Sequence, residues 1–174
     1  AGIVHRLDKD TSGLIVIARR DVARRKLMAQ FQARTVEKTY IALLEKAPPT
    51  EVGRIDAPIA RDSNQRKRMA VVRGGRPAVT EYEVIERDFK DGQTLVRIQI
   101  HTGRTHQIRV HMAFIGAPIV GDSVYGYRRQ RLGLKRHFLH AAHLCFDHPR
   151  TGERLCFDSP LPPGLLDILE KLRA

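Results

Sequence analysis

The feature that most constrains the fold is a succession of short β-prone segments punctuated by turn residues. Ala78 to Arg87 and Thr94 to Ile100 are two of them, and the Lys90-Asp91-Gly92 between them is a hairpin signal. Glu37 to Glu45 (EKTYIALLE) reads as another, stopped by Pro48-Pro49, and Gly53 to Ile59 and Lys67 to Val72 follow. Leu144 to Asp147 and Glu153 to Asp158 flank HPRTGE as a last hairpin, and Leu14 to Ala18 is a short apolar strand. Hairpin-linked strands pair antiparallel, so this order predicts a large, largely antiparallel sheet. Three helices interrupt it. Asp21 can cap the first, in which Ala23, Leu27 and Phe31 recur every four residues with Met28 alongside. A short second helix carries Ile108, Val110 to Met112 and Ile115 and ends at Gly116 and Pro118. Pro162 to Arg173 forms the third, amphipathic, with Leu165, Ile168, Leu169 and Leu172 inward. The fold class expected is α+β, with residues 1–174 forming one domain.

At 174 residues and 42% hydrophobic content the chain can bury a real core. No apolar stretch approaches 18 residues and no charged-then-apolar leader is present, so neither a membrane span nor a secretory signal is expected and the cytosol is the default compartment. Cys145 and Cys156 face each other across the last hairpin, and in that compartment they read as packing thiols rather than a disulfide. Lys and Arg number 31 against 19 Asp and Glu, a formal net charge of +12. The basic residues are spread through the chain, at Arg19-Arg20, Arg24 to Lys26, Arg66 to Arg68, Arg73 and Arg76, and Arg128 to Arg136. Such a surface favours polyanions, and arginine without matching acid points to phosphate.

Against that background an acidic residue amid basic ones stands out. In His5 to Leu14 (HRLDKDTSGL), if Ile3 to Asp8 is extended, Arg6 and Asp8 share one face. A carboxylate beside a guanidinium is favoured in its charged form and can act as a nucleophile; an isolated Arg-x-Asp is more commonly a surface ion pair. The second dense segment is His101 to Gly126, HTGRTHQIRVHMAFIGAPIVGDSVYG. With Gln107 onward helical, His106 and Arg109 share one face and Gln107 and His111 another. His101, His106 and His111 are spaced by fives, which suits neither a helical ligand pair nor a usual zinc pattern, so no metal is expected. Asp122, after Gly121, can join the site or cap a turn, and the turn is the favoured reading. Tyr40 shares its strand face with Lys38.

Taken together, HRLDKDTSGL, EKTYIALL, the His101 to Gly126 segment and FLHAAHLCFDHPRTGE resemble the RluA-type pseudouridine synthases in order and spacing, over essentially the whole chain. GRIDAPIARDSNQRKRMAV and GGRPAVTEYEV look most like the branch acting on large-subunit (23S) ribosomal RNA. The resemblance implies the pseudouridine synthase fold, a large mixed and mostly antiparallel sheet with a central catalytic cleft flanked by helices and loops. It implies isomerisation of uridine to pseudouridine without a cofactor, with RNA as partner. Asp8 would be the catalytic nucleophile, Arg109 its partner, and Tyr40 the residue lining the uracil pocket and a base at carbon 5. Arg6 would fill the space left by the flipped nucleotide, and Arg104, His106 and Gln107 would contact RNA. Members of the family carry further strands ahead of the position of Ala1, and many a small RNA-binding domain, so the chain is expected to be a fragment; its oligomeric state is open, a monomer being favoured.

A noncatalytic ribosomal RNA-binding module is the competing class, needing basic residues but no aspartate among them. A metal-dependent nuclease would need clustered carboxylates that the sequence lacks.

Overall fold

The structure, a computed structural model, describes residues 2–130 and 132–174. Its strands are β1 (Gly2–Ile3), β2 (Ser12–Gly13), β3 (Ile17–Ala18), β4 (Glu37–Leu44), β5 (Val52–Asp56), β6 (Ile59–Arg61), β7 (Met69–Val71), β8 (Val79–Glu86), β9 (Thr94–Ile100), β10 (Leu139–Asp147) and β11 (Arg154–Asp158). The helices are α1 (Asp21–Ala33), α2 (Gln107–Phe114) and α3 (Pro163–Arg173). Among the described residues the main sheet runs β11-β10-β4-β9-β8-β5, with β2 pairing in parallel alongside β10. All other pairings in it are antiparallel, as the hairpin signals predict. The pairs β1-β3 and β6-β7 are separate two-stranded ladders.

The core lies where α2 and α3 cover the middle of this sheet. Leu165, Ile168, Leu169 and Leu172 of α3 join Ile108 and Met112 of α2 against Tyr40, Ala42, Leu44, Val96 and Ile98. Each such fully buried large aliphatic side chain contributes about 1.5–3 kcal/mol. Helix α1 buries Leu27 in a second cluster with Ala18, Val36, Leu144 and Phe146.

The ends of several segments depart from expectation. Ile3 to Asp8 is not one strand: β1 ends at Ile3, Val4 and His5 bend, and Arg6 to Asp8 follow an irregular path. Leu14 to Ala18 is strand only at Ile17–Ala18. In both stretches few strand partners are available, and side chains take over from the ladder: Val16 N–H donates to His5 Nε2 at 2.9 Å, and the His5 ring stacks on Phe31 at 4.7 Å. The last hairpin is longer than predicted, because β10 begins at Leu139 and runs beside β4. Arg131, within the basic stretch Tyr127 to Arg136, lies outside the described residues. Cys145 and Cys156 form a disulfide, which corrects the reading of plain thiols. They are direct partners in the β10–β11 register, so their side chains meet without displacement of the backbone.

Candidate active site

Asp8 and Tyr40 line one cavity of about 450 Å³, whose wall is built from the Val4–Thr11 segment, the start of β4 and the turn from Ile100 to Ile108. The alternation of β4 places Lys38 beside Tyr40 on it, and Arg6, Arg104 and His106 complete the rim. Lys38, Tyr40, Arg104 and His106, which lie 32, 34, 98 and 100 positions from Arg6 in sequence, thus meet it at one opening.

The path of Asp8 is set by anchors to β10. Thr11 N–H donates to the Asp8 carbonyl at 3.0 Å, closing a turn in which Asp10 takes φ 71. The Thr11 hydroxyl contacts His137 Nε2 at 2.7 Å. Next along, Arg136 donates to Ser12 Oγ at 3.0 Å, and Ser12 Oγ lies 2.8 Å from His140 Nδ1. His140 Nε2 faces the Ser159 carbonyl, an acceptor only, so in the neutral ring Nε2 carries the proton and Ser12 donates to Nδ1. Gly13 completes the anchor: with φ 112, its α-carbon lies so close to β10 that a Cβ would collide with the Ala141 carbonyl.

Arg109 reaches Asp8 from behind. Its Nη1 is 3.4 Å from Asp8 Oδ2, while Nε and Nη2 donate to Asp122 Oδ2 and Oδ1 at 2.7 and 3.0 Å. The stronger, bidentate partner is therefore Asp122, and the reading of Asp122 as a turn cap captured half of its role. Its Oδ1 does cap the turn, accepting from Val124 and Tyr125 N–H at 3.0 Å each. Burial alone would raise the Asp122 carboxyl, but the hydrogen bonds and charge of Arg109 hold it below the usual carboxylate range. Burial opposes the Arg109 charge as well, and Asp122 and then Asp8 more than restore it.

Tyr125 is a site residue that sequence reasoning missed. The Arg109 and Arg68 guanidinium groups lie 5.0 and 5.1 Å from its ring centre, and its hydroxyl accepts from Met69 N–H at 2.8 Å. The same hydroxyl is 2.7 Å from His106 Nδ1. Burial lowers the His106 pKa, so the neutral ring accepts a hydrogen bond from the tyrosine hydroxyl. His106 and Arg109 do converge as their spacing predicted, on Tyr125. Its only sequence signal was the Asp-Ser-Val-Tyr-Gly run, in which nothing marks the tyrosine as site-facing.

Gln107 is placed differently from expectation. It is 3% exposed, and its Nε2 donates to Val79 O and Thr80 Oγ1 while its Oε1 accepts from Thr102 Oγ1 and Arg104 N–H. It holds the turn that carries Arg104 rather than presenting itself to a ligand. His111 shares Thr80 with it: Nε2 donates to Ala57 O, and Nδ1 accepts from the Thr80 hydroxyl. His101 pairs with Glu81 at 2.9 Å, so the three evenly spaced histidines serve three separate partners.

Electrostatically the opening is cationic. Arg104 donates to Pro77 O at 2.8 Å, and its charge is disfavoured by burial and by Arg76 and Arg34 nearby. Burial, with Arg104 adjacent, brings Lys38 down to about 8. Tyr40 is pushed the other way, well above the usual phenol value, by burial and then by the charge of Asp8. A ring that stays protonated beside a carboxylate, set in a positive rim, suits a planar polar base carried on a phosphate chain.

A family model described as RNA pseudouridylate synthase matches residues 1–114, a span that includes Asp8, Tyr40 and Arg109. The chain belongs to this family. Among curated members, an uncharacterized RNA pseudouridine synthase of Chloroflexus aurantiacus is 56% identical over 99% of the chain and 54% of its own length. Ribosomal large subunit pseudouridine synthase D of Pseudomonas aeruginosa is 50% identical over 99% of the chain and 57% of its own length. The chain thus spans about half the length of these relatives. In three dimensions it is similar to Human RNA Pseudouridylate Synthase Domain Containing 1, with a TM-score of 0.82 and 30% identity over 99% of this chain and 80% of that one. The large, mostly antiparallel α+β sheet expected from the hairpins is present, and the pseudouridine synthase fold that the resemblance implied is the one this neighbour shares.

Proposed function

We propose that this chain is the catalytic domain, residues 1–174, of an RNA pseudouridine synthase acting on uridines of large-subunit (23S) ribosomal RNA. The observation that carries this reading is the carboxylate of Asp8, with 15% of its side chain exposed, at a cavity whose rim is cationic, with the Arg109 guanidinium 3.4 Å from it. The names of the 50% and 44% identical relatives from Pseudomonas aeruginosa and Vibrio parahaemolyticus support the ribosomal substrate.

The reaction is an isomerisation in which atoms balance without a co-reactant. The bond from C1′ to N1 breaks, the base turns, and C1′ bonds to C5; the C5 proton leaves and N1 gains one. The base must first leave its stack, at a cost of a few kcal/mol. Arg6, exposed at the rim, stacks in its stead in this reading. Asp8 supplies the charge that drives cleavage, with Arg109 fixed behind it by Asp122. Tyr40 stays protonated in the free site, so it serves the last step as a relay: its oxygen takes the C5 proton as its own O–H proton passes to the Asp8 carboxylate, which gives it up to water, while N1 takes its proton from water. Such a relay needs no preformed phenolate. Arg104 and Lys38 hold the flanking phosphates and His106 lines the entrance.

The test is incubation of the whole protein with large-subunit RNA in the presence of a chelator, followed by mapping of uridine isomerisation. Wild type should yield pseudouridine at a few discrete sites, and Asp8→Asn none. Absence of product from wild type, or equal product from Asp8→Asn, leaves only a basic RNA-binding module.

A further inference from the structure

Away from the cavity, one side of the β10–β11 hairpin gathers four side chains of metal-ligating type. The register pairs His143 with Asp158 and Cys145 with Cys156, and positions two apart on a strand share a face, so all four project together. His143 Nε2 lies 3.0 Å from Cys145 Sγ, and this nitrogen and the two sulfurs fall within 4.8 Å of one another. On the far edge of the ring, Nδ1 is 2.6 Å from Asp158 Oδ1. An ionised carboxylate only accepts, so in the neutral ring Nδ1 carries the proton and Nε2 turns its lone pair toward the sulfurs. A histidine whose outer N–H is held by a carboxylate while its inner nitrogen faces two sulfurs is the arrangement that orients imidazole for a metal ion.

We propose that, when the disulfide is reduced, His143, Cys145 and Cys156 bind a zinc ion, with Asp158 orienting the histidine. Two thiolates and one imidazole form a donor set of zinc type, and the two sulfur charges balance the +2 of the ion. The fourth position falls to water, which the exposed side of the hairpin admits. A dithiol reductant delivers two electrons and two protons to the disulfide and is itself oxidised to a disulfide; zinc then displaces the two thiol protons. With Zn–S bonds of about 2.3 Å, tetrahedral geometry sets the sulfurs about 3.8 Å apart. The Cα atoms are 4.2 Å apart, Cys145 is 2% exposed and Cys156 is exposed, so a rotation of the Cys156 side chain opens the site while Cys145 stays fixed. Disulfide and metal are mutually exclusive staples of the same two strands.

Cobalt(II) is the probe, because thiolate ligation gives it charge-transfer absorption and a tetrahedral site gives intense ligand-field bands. Protein reduced with a phosphine, freed of reductant and titrated anaerobically should take up one equivalent with both signatures, and zinc should displace it. The unreduced protein, identical in sequence, should show neither. Cys156→Ser and His143→Ala, both away from the core, should lose the tight site, and Asp158→Asn should keep the bands but weaken affinity by roughly 10–100-fold. Reduced wild type without charge transfer would overturn the proposal, as would equal binding by the unreduced protein or by Cys156→Ser. Circular dichroism of each variant separates loss of ligation from loss of fold. Pseudouridine formation is not read in this experiment, so its outcome is independent of the catalytic reading.

Discussion

At the scale of single residues, the site turns on one guanidinium serving two carboxylates unequally. Asp122, with a side chain 0% exposed, holds Arg109 through two short bonds, and Asp8 receives one longer contact. Asp122→Asn therefore leaves a buried charge poorly compensated and should cost on the order of 3–5 kcal/mol in unfolding free energy, with activity lost in proportion to the misplaced arginine. Asp8→Asn should abolish product with a far smaller loss of stability; denaturant titration beside product mapping separates the two. Tyr40→Phe keeps the ring and removes the relay, so RNA affinity should hold while turnover falls about 10²–10⁴-fold. An unchanged turnover would remove Tyr40 from proton transfer. His137 makes a pH prediction. Burial, and then the Arg109 charge, lower it to about 4, so between its ordinary value near 6.5 and about 4 the unfolded chain binds a proton that the native state does not. Its contribution is complete above pH 6.5 and is lost as pH falls toward 4. Wild type should therefore lose more unfolding free energy between pH 7 and 4.5 than His137→Gln, by at most about 3 kcal/mol. Identical pH profiles would show that the ring is charged in the fold.

At the scale of elements, the strands with long alternating runs were legible and the short ones were not. β9 occupies Thr94–Ile100, the bounds its pattern predicts, because both its neighbours supply full ladders. β2 is two residues long and exists only because β10 lies beside it, so no local pattern announces it. The same limit hid half of the site. Lys38 and Tyr40 share a face by alternation alone, whereas the partnership of Arg109 with Asp122 depends on how the turn after α2 folds back. The hold that Gln107 has on the turn was not legible, because its buried hydrogen bonds run to Thr80 and Thr102, whose positions are fixed by β8 and the turn after β9. The disulfide was misjudged from compartment, although the register that makes it was already implied by the hairpin. Gly13 is where an element-scale change should be felt most. Gly13→Ala adds both a strained φ and a collision with Ala141, so it should push β2 off β10 and take Asp8 with it. The expected result is loss of product with most of the sheet retained, read as a near-native circular dichroism spectrum. Retained activity would show that the Asp8 segment does not need β2.

At the scale of the whole molecule, a net charge of +12 would set how RNA is held under the proposed function. Affinity should fall steeply with salt, by about 0.9 in log K per unit log salt for each phosphate neutralised on a duplex. Lys38 makes this slope depend on pH. With its value near 8 it is charged at pH 7 and mostly neutral at pH 9, so the slope should shrink by about one across that range. Lys38→Met should show the smaller slope at both pH values, and a pH-independent wild-type slope would place Lys38 away from phosphate. The pairing of β2 with β10 joins residues more than 120 positions apart, Ser12 to His140 and Thr11 to His137. Closing a loop of that length carries an entropic cost that a two-residue ladder and a few side-chain bonds must offset. The segment holding Asp8 is thus poised to detach while the sheet persists, and its amides, Thr11 and Leu14 foremost, should exchange with solvent before those of β4 and β9. Heat or denaturant would then silence the proposed activity before the sheet unfolds.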